Sequence, residues 1–262
     1  MDKAAFYKSL RARNSGVFGT SLSQSQVDGI EGILTAFAQV GDGKADTLAY
    51  ALATAYHEVG GRMVPVREGF ASTDAGARRA VSNLARKRGP KSAVARYALP
   101  QPPYGHVFYG RGLVQLTWLD NYRDSSADAG VDLVRYPDKM LDPAISARVM
   151  IKGLLDGRWN GQGHGLRHYL DMGDLHGARR TVNITDKWDT IAGYHRAFLA
   201  AINAGGGVSV KRHDPVAPIM PAPVDVPDLV IDTRPDFVDH TPDKPAMGFW
   251  ASLFAAIFGV RK

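Results

Sequence analysis

A mainly helical fold follows from three features of this 262-residue sequence. Apolar residues return every three to four positions in several long stretches, and capping residues and glycine or proline stops mark their ends. No long alternating run argues for a large sheet. The expected body is therefore a helical domain over residues 1–204, with a small hairpin or irregular loops near 62–72 and 100–110.

Taken in order, Ser23-Gln24-Ser25-Gln26 reads as a capping box opening a helix. Val27, Ile30, Leu34 and Phe37 form its stripe, widened by Ile33 and Val40, and Gly41-Asp42-Gly43 ends it. A second helix starts near Asp46, carries Leu48, Leu52, Ala55, Tyr56 and Val59 on one side, and stops at Gly60-Gly61. A third spans 74–88, capped by Thr73 or Asp74 and closed by Gly89-Pro90. Further helices are expected over part of 111–129, over 143–157 after Asp142-Pro143, over 173–182 and over 186–204. In the last, Trp188, Ile191, Tyr194, Phe198 and Ile202 form the stripe.

After Gly205-Gly206-Gly207 the composition changes. Residues 213–245 hold eight of the fifteen prolines and seven Asp, so 205–245 reads as an extended Pro/Asp-rich linker. Residues 246–262 turn apolar at helical spacing, with Phe249, Trp250, Leu253, Phe254, Ile257 and Phe258, and close on Arg261-Lys262. That segment is shorter than the roughly 20 residues a spanning helix needs. It is expected to lie in a membrane interface or to dock on another helix.

Charge is uneven. Residues 1–212 carry 28 Lys and Arg against 19 acids, which favours a polyanionic partner. No cluster of aromatics interleaved with Arg forms a nucleic-acid platform, so nucleic acid is not expected. Cysteine is absent, which removes disulfides and thiolate chemistry. Met1–Lys8 lacks the apolar core of a signal peptide, so the expectation is synthesis in a cytoplasm and delivery to its target by other means. His164 and His168 have helical spacing, but glycines flank the first and no carboxylate completes a set, so no metal is expected. No phosphate loop or nucleophile elbow is present.

Chemistry concentrates in two places. Glu58 closes an apolar helix, where the macrodipole and desolvation both disfavour a carboxylate, as suits a general acid. H-E-x-x-H is excluded, because position 61 is glycine. Glu68 lies ten residues on, across Gly60-Gly61 and Pro65, where a returning chain brings it opposite Glu58. Glycoside hydrolysis uses two such carboxyl groups, roughly 6.5–9.5 Å apart when water must fit between them. The second place is 108–122, where Gly110 and Gly112 flank Arg111. There Tyr109, Gln115, Thr117, Trp118, Asn121 and Tyr122 supply stacking faces, amides and a hydroxyl suited to sugar rings.

These motifs resemble glycoside hydrolase family 19. The likeness rests on Y-H-E-V-G-G, the second Glu about ten positions later, Y-G-R-G-L-V-Q-L-T-W with N-Y after it, and D-P-A-I-S at 142–146. T-V-N at 181–183 and Tyr194-His195-Arg196 add to it. It spans roughly residues 20–204 and is closest to the bacteriophage endolysin branch, with chitinases more distant. The resemblance implies a two-lobed, lysozyme-like α+β domain that needs no cofactor and inverts the anomeric centre. It implies Glu58 as general acid, Glu68 as general base and Thr117 as the hydroxyl that helps hold the catalytic water. Gln115, Asn121 and Asn183 become polar binding residues, and Arg196 an arginine near the acid–base network. The sequence departs from the family at Val59, Asp120 and Ile184-Thr185, where Thr, a cleft tyrosine and Gly-Gly are usual.

Residues 78–96 add Arg78, Arg79, Arg86, Lys87, Arg88, Lys91 and Arg96 with no acid among them. Chitin is neutral and peptidoglycan carries carboxylates, so this stretch favours peptidoglycan. The expected function is a phage-type endolysin that hydrolyses β-1,4 bonds of peptidoglycan, made in the host cytoplasm and acting in the periplasm or wall. An endochitinase and a non-catalytic wall-binding or virion component are the alternatives.

Overall fold

A computed structural model describes residues 1–159, 163–183 and 186–208. The linker beyond Val208 and the apolar helix expected at 246–262 lie outside the described residues. Within them the architecture is mainly helical, and no helix is long and apolar enough to cross a membrane.

The body is built on α3 (Ala45–Glu58). The sequence marks one apolar side, yet this helix is buried almost all round, from Thr47 through Ala55 and again at Glu58. Ala49, Ala51, Ala53 and Ala55 make that possible, because small side chains let neighbouring backbones approach. The main partner of α3 is α10 (Trp188–Ala204), which brings Ile191, Phe198 and Ile202 into the core. Each such side chain contributes about 1.5–3 kcal/mol on full burial. The two helices are also joined where His195 Nε2 meets Asp46 Oδ1 at 2.7 Å.

The N-terminal helix α1 (Lys3–Leu10) was not expected from the sequence. Asp2 caps it by accepting from the amides of Ala4 and Ala5, and Phe6 and Leu10 pack inward beside α10. The Asp2 amide donates to the Gly205 carbonyl at 2.7 Å, tying the start of the chain to the end of α10. Helix α2 (Gln24–Val40) begins with the expected capping box, Ser23 and Gln26 each accepting from the other's amide. It packs mainly on α7 (Pro143–Asp156), whose cap Asp142 accepts from Ala144 and Ile145.

The second lobe holds α4 (Asp74–Arg88), capped by Thr73, and the short α5 (Ala93–Tyr97). Ala77, Val81, Val94, Tyr97, Val107 and Tyr109 form its own small core. The loops at 62–72 and 100–110 are largely irregular, as expected. β1 (Val66–Arg67) pairs antiparallel with β2 (Arg111–Gly112), in the register Val66 to Gly112 and Arg67 to Arg111. A further bridge joins Gln101 to His106.

The helix expected over part of 111–129 is α6 (Leu119–Ala129), which starts only after Gly112, Gln115 and Trp118, all at positive φ. The stretch 173–182 yields only α9 (Leu175–Ala178), capped by Asp174, and a 3-10 turn over Arg179–Thr181. Just before it lies another short helix, α8 (Leu166–Leu170). Over 173–182 tertiary contacts override helical periodicity.

Gly112 has φ 87°, and a Cβ there would lie 2.6 Å from Ser146 Oγ and 2.9 Å from the Met140 carbonyl. Gly112→Ala is expected to cost about 2 kcal/mol or more through left-handed strain and this clash. A lowered urea midpoint with an unchanged slope checks it.

Candidate active site

Glu58 is the last residue of α3 and is buried with its partner. Its Oε1 accepts from Arg179 Nη1 at 2.8 Å, with both side chains at most 2% exposed. Arg179 sits in the 3-10 turn after α9, and its Nε donates to the Asp186 carbonyl at 3.1 Å. Its Nη2 is buried with no hydrogen-bond partner among the described residues. The structure adds to the helix end a contacting guanidinium, brought in by the turn after α9.

Glu68 follows β1 and opens a 3-10 turn. It too is buried, at 1% exposure. Tyr97 Oη donates to Oε1 at 3.0 Å, and the Gly110 amide donates to Oε2 at 3.0 Å. The Glu68 amide in turn donates to the Gly110 carbonyl at 2.8 Å, so backbone and side chain clamp the same glycine. Burial pushes the carboxyl from about 4.5 up to about 8, against the opposing pull of these two donors and of Arg111 and Arg88. Burial, and then the neighbouring Glu68, push the Tyr97 phenol up as well.

The 108–122 residues build the support of this site. Gln115 has φ 53° and donates its amide to the carbonyls of Val66 (3.0 Å) and Gly112 (2.9 Å), stitching both strands. Thr117 Oγ1 donates to the Gln115 carbonyl at 2.9 Å, and Asn121 Nδ2 donates to the Thr117 carbonyl at 2.8 Å. All three are buried, so these polar atoms brace the hairpin. Tyr109 is fully buried, with its hydroxyl donating to Asp74 Oδ1 at 2.8 Å and its ring 3.6 Å from the Arg111 guanidinium carbon. Asn183 is buried, its backbone N–H donating to the Arg179 carbonyl at 2.9 Å, so it follows the turn that holds Glu58.

Arg196 is exposed on α10, and the arginine in contact with the acid is Arg179. Within Tyr194-His195-Arg196, His195 is the buried member, and Asp120 is exposed and paired with Arg123. Arg179, Tyr97 and Arg111 were not singled out from the sequence. Only Arg111 had a local signal, its place between two glycines. His164 and His168 stack with ring centroids 4.0 Å apart, and no group of three metal-type side chains gathers among the described residues.

No protein-family model matches the chain. No curated protein matches it. Among solved structures, it is similar to chitinase C from Streptomyces griseus HUT6037. That match has 20% identity, covers 80% of this chain and 78% of that one, and has a TM-score of 0.44. It is also similar to a bacterial family 19 chitinase described as differing from plant enzymes. There the identity is 20%, the cover is 80% of this chain and 98% of that one, and the TM-score is 0.44.

The raised Glu68 carboxyl has a stability consequence. A folded-state value near 8 against about 4.5 unfolded means its contribution is fully present below 4.5 and is lost as pH rises towards 8. Glu68→Gln keeps one of the two acceptor oxygens and cannot ionise. Urea unfolding at pH 5 and pH 8.5 is expected to show a smaller loss of stability for this variant than for the native chain.

Proposed function

We propose that this protein is a glycoside hydrolase that cuts β-1,4 bonds of bacterial peptidoglycan by single displacement, with Glu58 and Glu68 as its carboxyl pair. The observation that carries the reading is the pair itself. One carboxyl group closes α3 and the other follows β1, both buried, each held by its own donors. Burying carboxyl groups is costly, and perturbed ones gather where chemistry is done. The motif resemblance supports the same pair.

In the reaction one carboxylic acid gives its proton to the glycosidic oxygen as the C1–O bond breaks. The other, ionised, takes a proton from the water whose oxygen bonds to C1 from the opposite face. The motifs assign the first role to Glu58 and the second to Glu68. Burial, which pushes the Glu68 carboxyl up to about 8, favours the reverse role for that residue. Under the motif assignment, substrate must bring a compensating charge or solvent to Glu68.

Peptidoglycan is favoured over chitin by the basic last turn of α4. Arg88 lies close enough to Glu68 for their charges to couple, alongside Arg86 and Lys87. Carboxylates of the wall peptides suit that surface. In this reading the protein acts as a phage-type lysin on the host wall, and segment 246–262 holds it at an anionic membrane interface.

Glu58→Gln and Glu68→Gln are each expected to lower fragment release from purified peptidoglycan by about 10²-fold or more, measured by mass spectrometry. Reducing N-acetylmuramic acid ends support the proposed bond. Release of chitooligosaccharides from chitin alone points to an endochitinase, and indifference to both changes to a wall-binding component. Azide, which needs no deprotonation, is expected to restore turnover to the variant that lacks the base, and thereby assigns the roles. A chain ending at residue 212 is expected to lose its partition onto anionic vesicles, and unchanged partition would sink the membrane reading.

A further inference from the structure

A concave site lies against the β1–β2 pair, lined in part by Arg111. Arg67 and Arg111 face each other across the pair, and both reach Asp138, at 2.7 and 2.8 Å. Glu68, the next residue, turns instead to Tyr97 and Gly110. On the arginine side is a pocket of about 620 Å³. Neither Glu58 nor Glu68 lines it, and none of their hydrogen-bond partners does.

Its walls are tied down. Asp74 accepts from Arg78 Nε at 2.6 Å and from Arg111 Nη2 at 3.3 Å, and Asp138 is held by two arginines. Burial pushes Asp138 up, but the hydrogen bond from Arg67 and the charge of Arg111 win and hold its carboxyl below the usual range. Both acids of the lining are therefore already neutralised. His106 donates from Nε2 to the Arg135 carbonyl at 3.0 Å, joining the 101–106 loop to the opposite rim.

Two cations of the lining remain uncommitted. Arg135 and Lys139 are exposed, and among the described residues neither has an acidic partner. Between them Tyr136 is 47% exposed, with the Arg135 guanidinium 5.3 Å from its ring centroid. A second exposed ring, Tyr104, stands beside His106 with centroids 6.0 Å apart. Exposed aromatic faces beside unpaired cations, over a floor whose acids are already bound, suit a ligand that carries both a sugar face and an anion.

We propose that this pocket is a second, non-catalytic binding site for an anionic saccharide, holding a carboxylate or phosphate on Arg135 and Lys139 and a sugar ring on Tyr136. The site deepens the wall-polymer reading and rests on it only for the choice of sugars. It gives the enzyme a hold on the polymer that is separate from the bond being cut.

Calorimetric titration of the full-length chain carrying Glu58→Gln tests this with three probes. They are the N-acetylglucosaminyl-N-acetylmuramic acid disaccharide, neutral di-N-acetylchitobiose, and glycerol phosphate. At least one anionic probe is expected to bind, and Arg135→Ala with Lys139→Ala to weaken it by about tenfold or more. Which of the two anions binds names the source as wall peptidoglycan or a phosphate polymer. Tyr136→Ser is expected to weaken the disaccharide alone. The Arg135/Lys139 double variant of the otherwise native chain should keep its turnover of a short soluble glycan and lose retention on intact sacculi. Affinity indifferent to the double variant, no anion binding, or equal affinity for the neutral disaccharide would overturn the site. The binding outcomes do not depend on hydrolysis, so the failure of the catalytic reading is scored separately.

Discussion

The second lobe depends on one buried guanidinium. Arg111 is 1% exposed, and every nitrogen is used. Nη1 meets the carbonyls of Val107 and Tyr109 and the Tyr122 hydroxyl, Nη2 meets Asp74, and Nε meets Asp138. One side chain thus fixes the start of α4, the turn at Pro137–Leu141, the start of α6 and strand β2. Leaving such a charge without partners costs several kcal/mol, so the surrounding acids and tyrosines are constrained as a set. Both the clamp on Glu68 from Gly110 and the wall of the second pocket are consequences of where Arg111 is held.

The two candidate acids are buried in different ways. Glu58 is matched by a charge, Arg179, brought from 121 positions away by the α9 turn. Glu68 is matched by neutral donors, a phenol and a backbone amide, which do not offset its desolvation. Two carboxyl groups in one fold are thereby given different environments, one ion-paired and one desolvated beside neutral donors.

Much of the helical framework was legible. The capping box at Ser23, the caps Thr73 and Asp142, and the stops at Gly60-Gly61 and Gly89 are local signals and appear where the residues placed them. Where 111–129 turns helical was not a local matter. Residues 111–118 are held extended and kinked by long-range partners: Arg111 on Asp138, Gln115 on Val66, and Gly112 against Ser146. The residues expected to line a sugar cleft were read from type alone. Tyr109, Gln115, Thr117 and Asn121 carry the right groups, yet they spend them on the backbone and on Asp74.

By itself the sequence determined the helices, their ends, the basic body with its acidic, proline-rich continuation, and the two glutamates worth attention. These follow from periodicity, capping and composition, which act over a few residues or sum over the chain. The tertiary structure alone decided that β1 pairs with β2, that Arg179 rather than Arg196 meets Glu58, that Glu68 holds its proton, and that a basic pocket opens behind it. Each of these is a burial or charge contact between distant parts of the chain, and neither desolvation nor a Coulomb term has a value until the neighbours are in place.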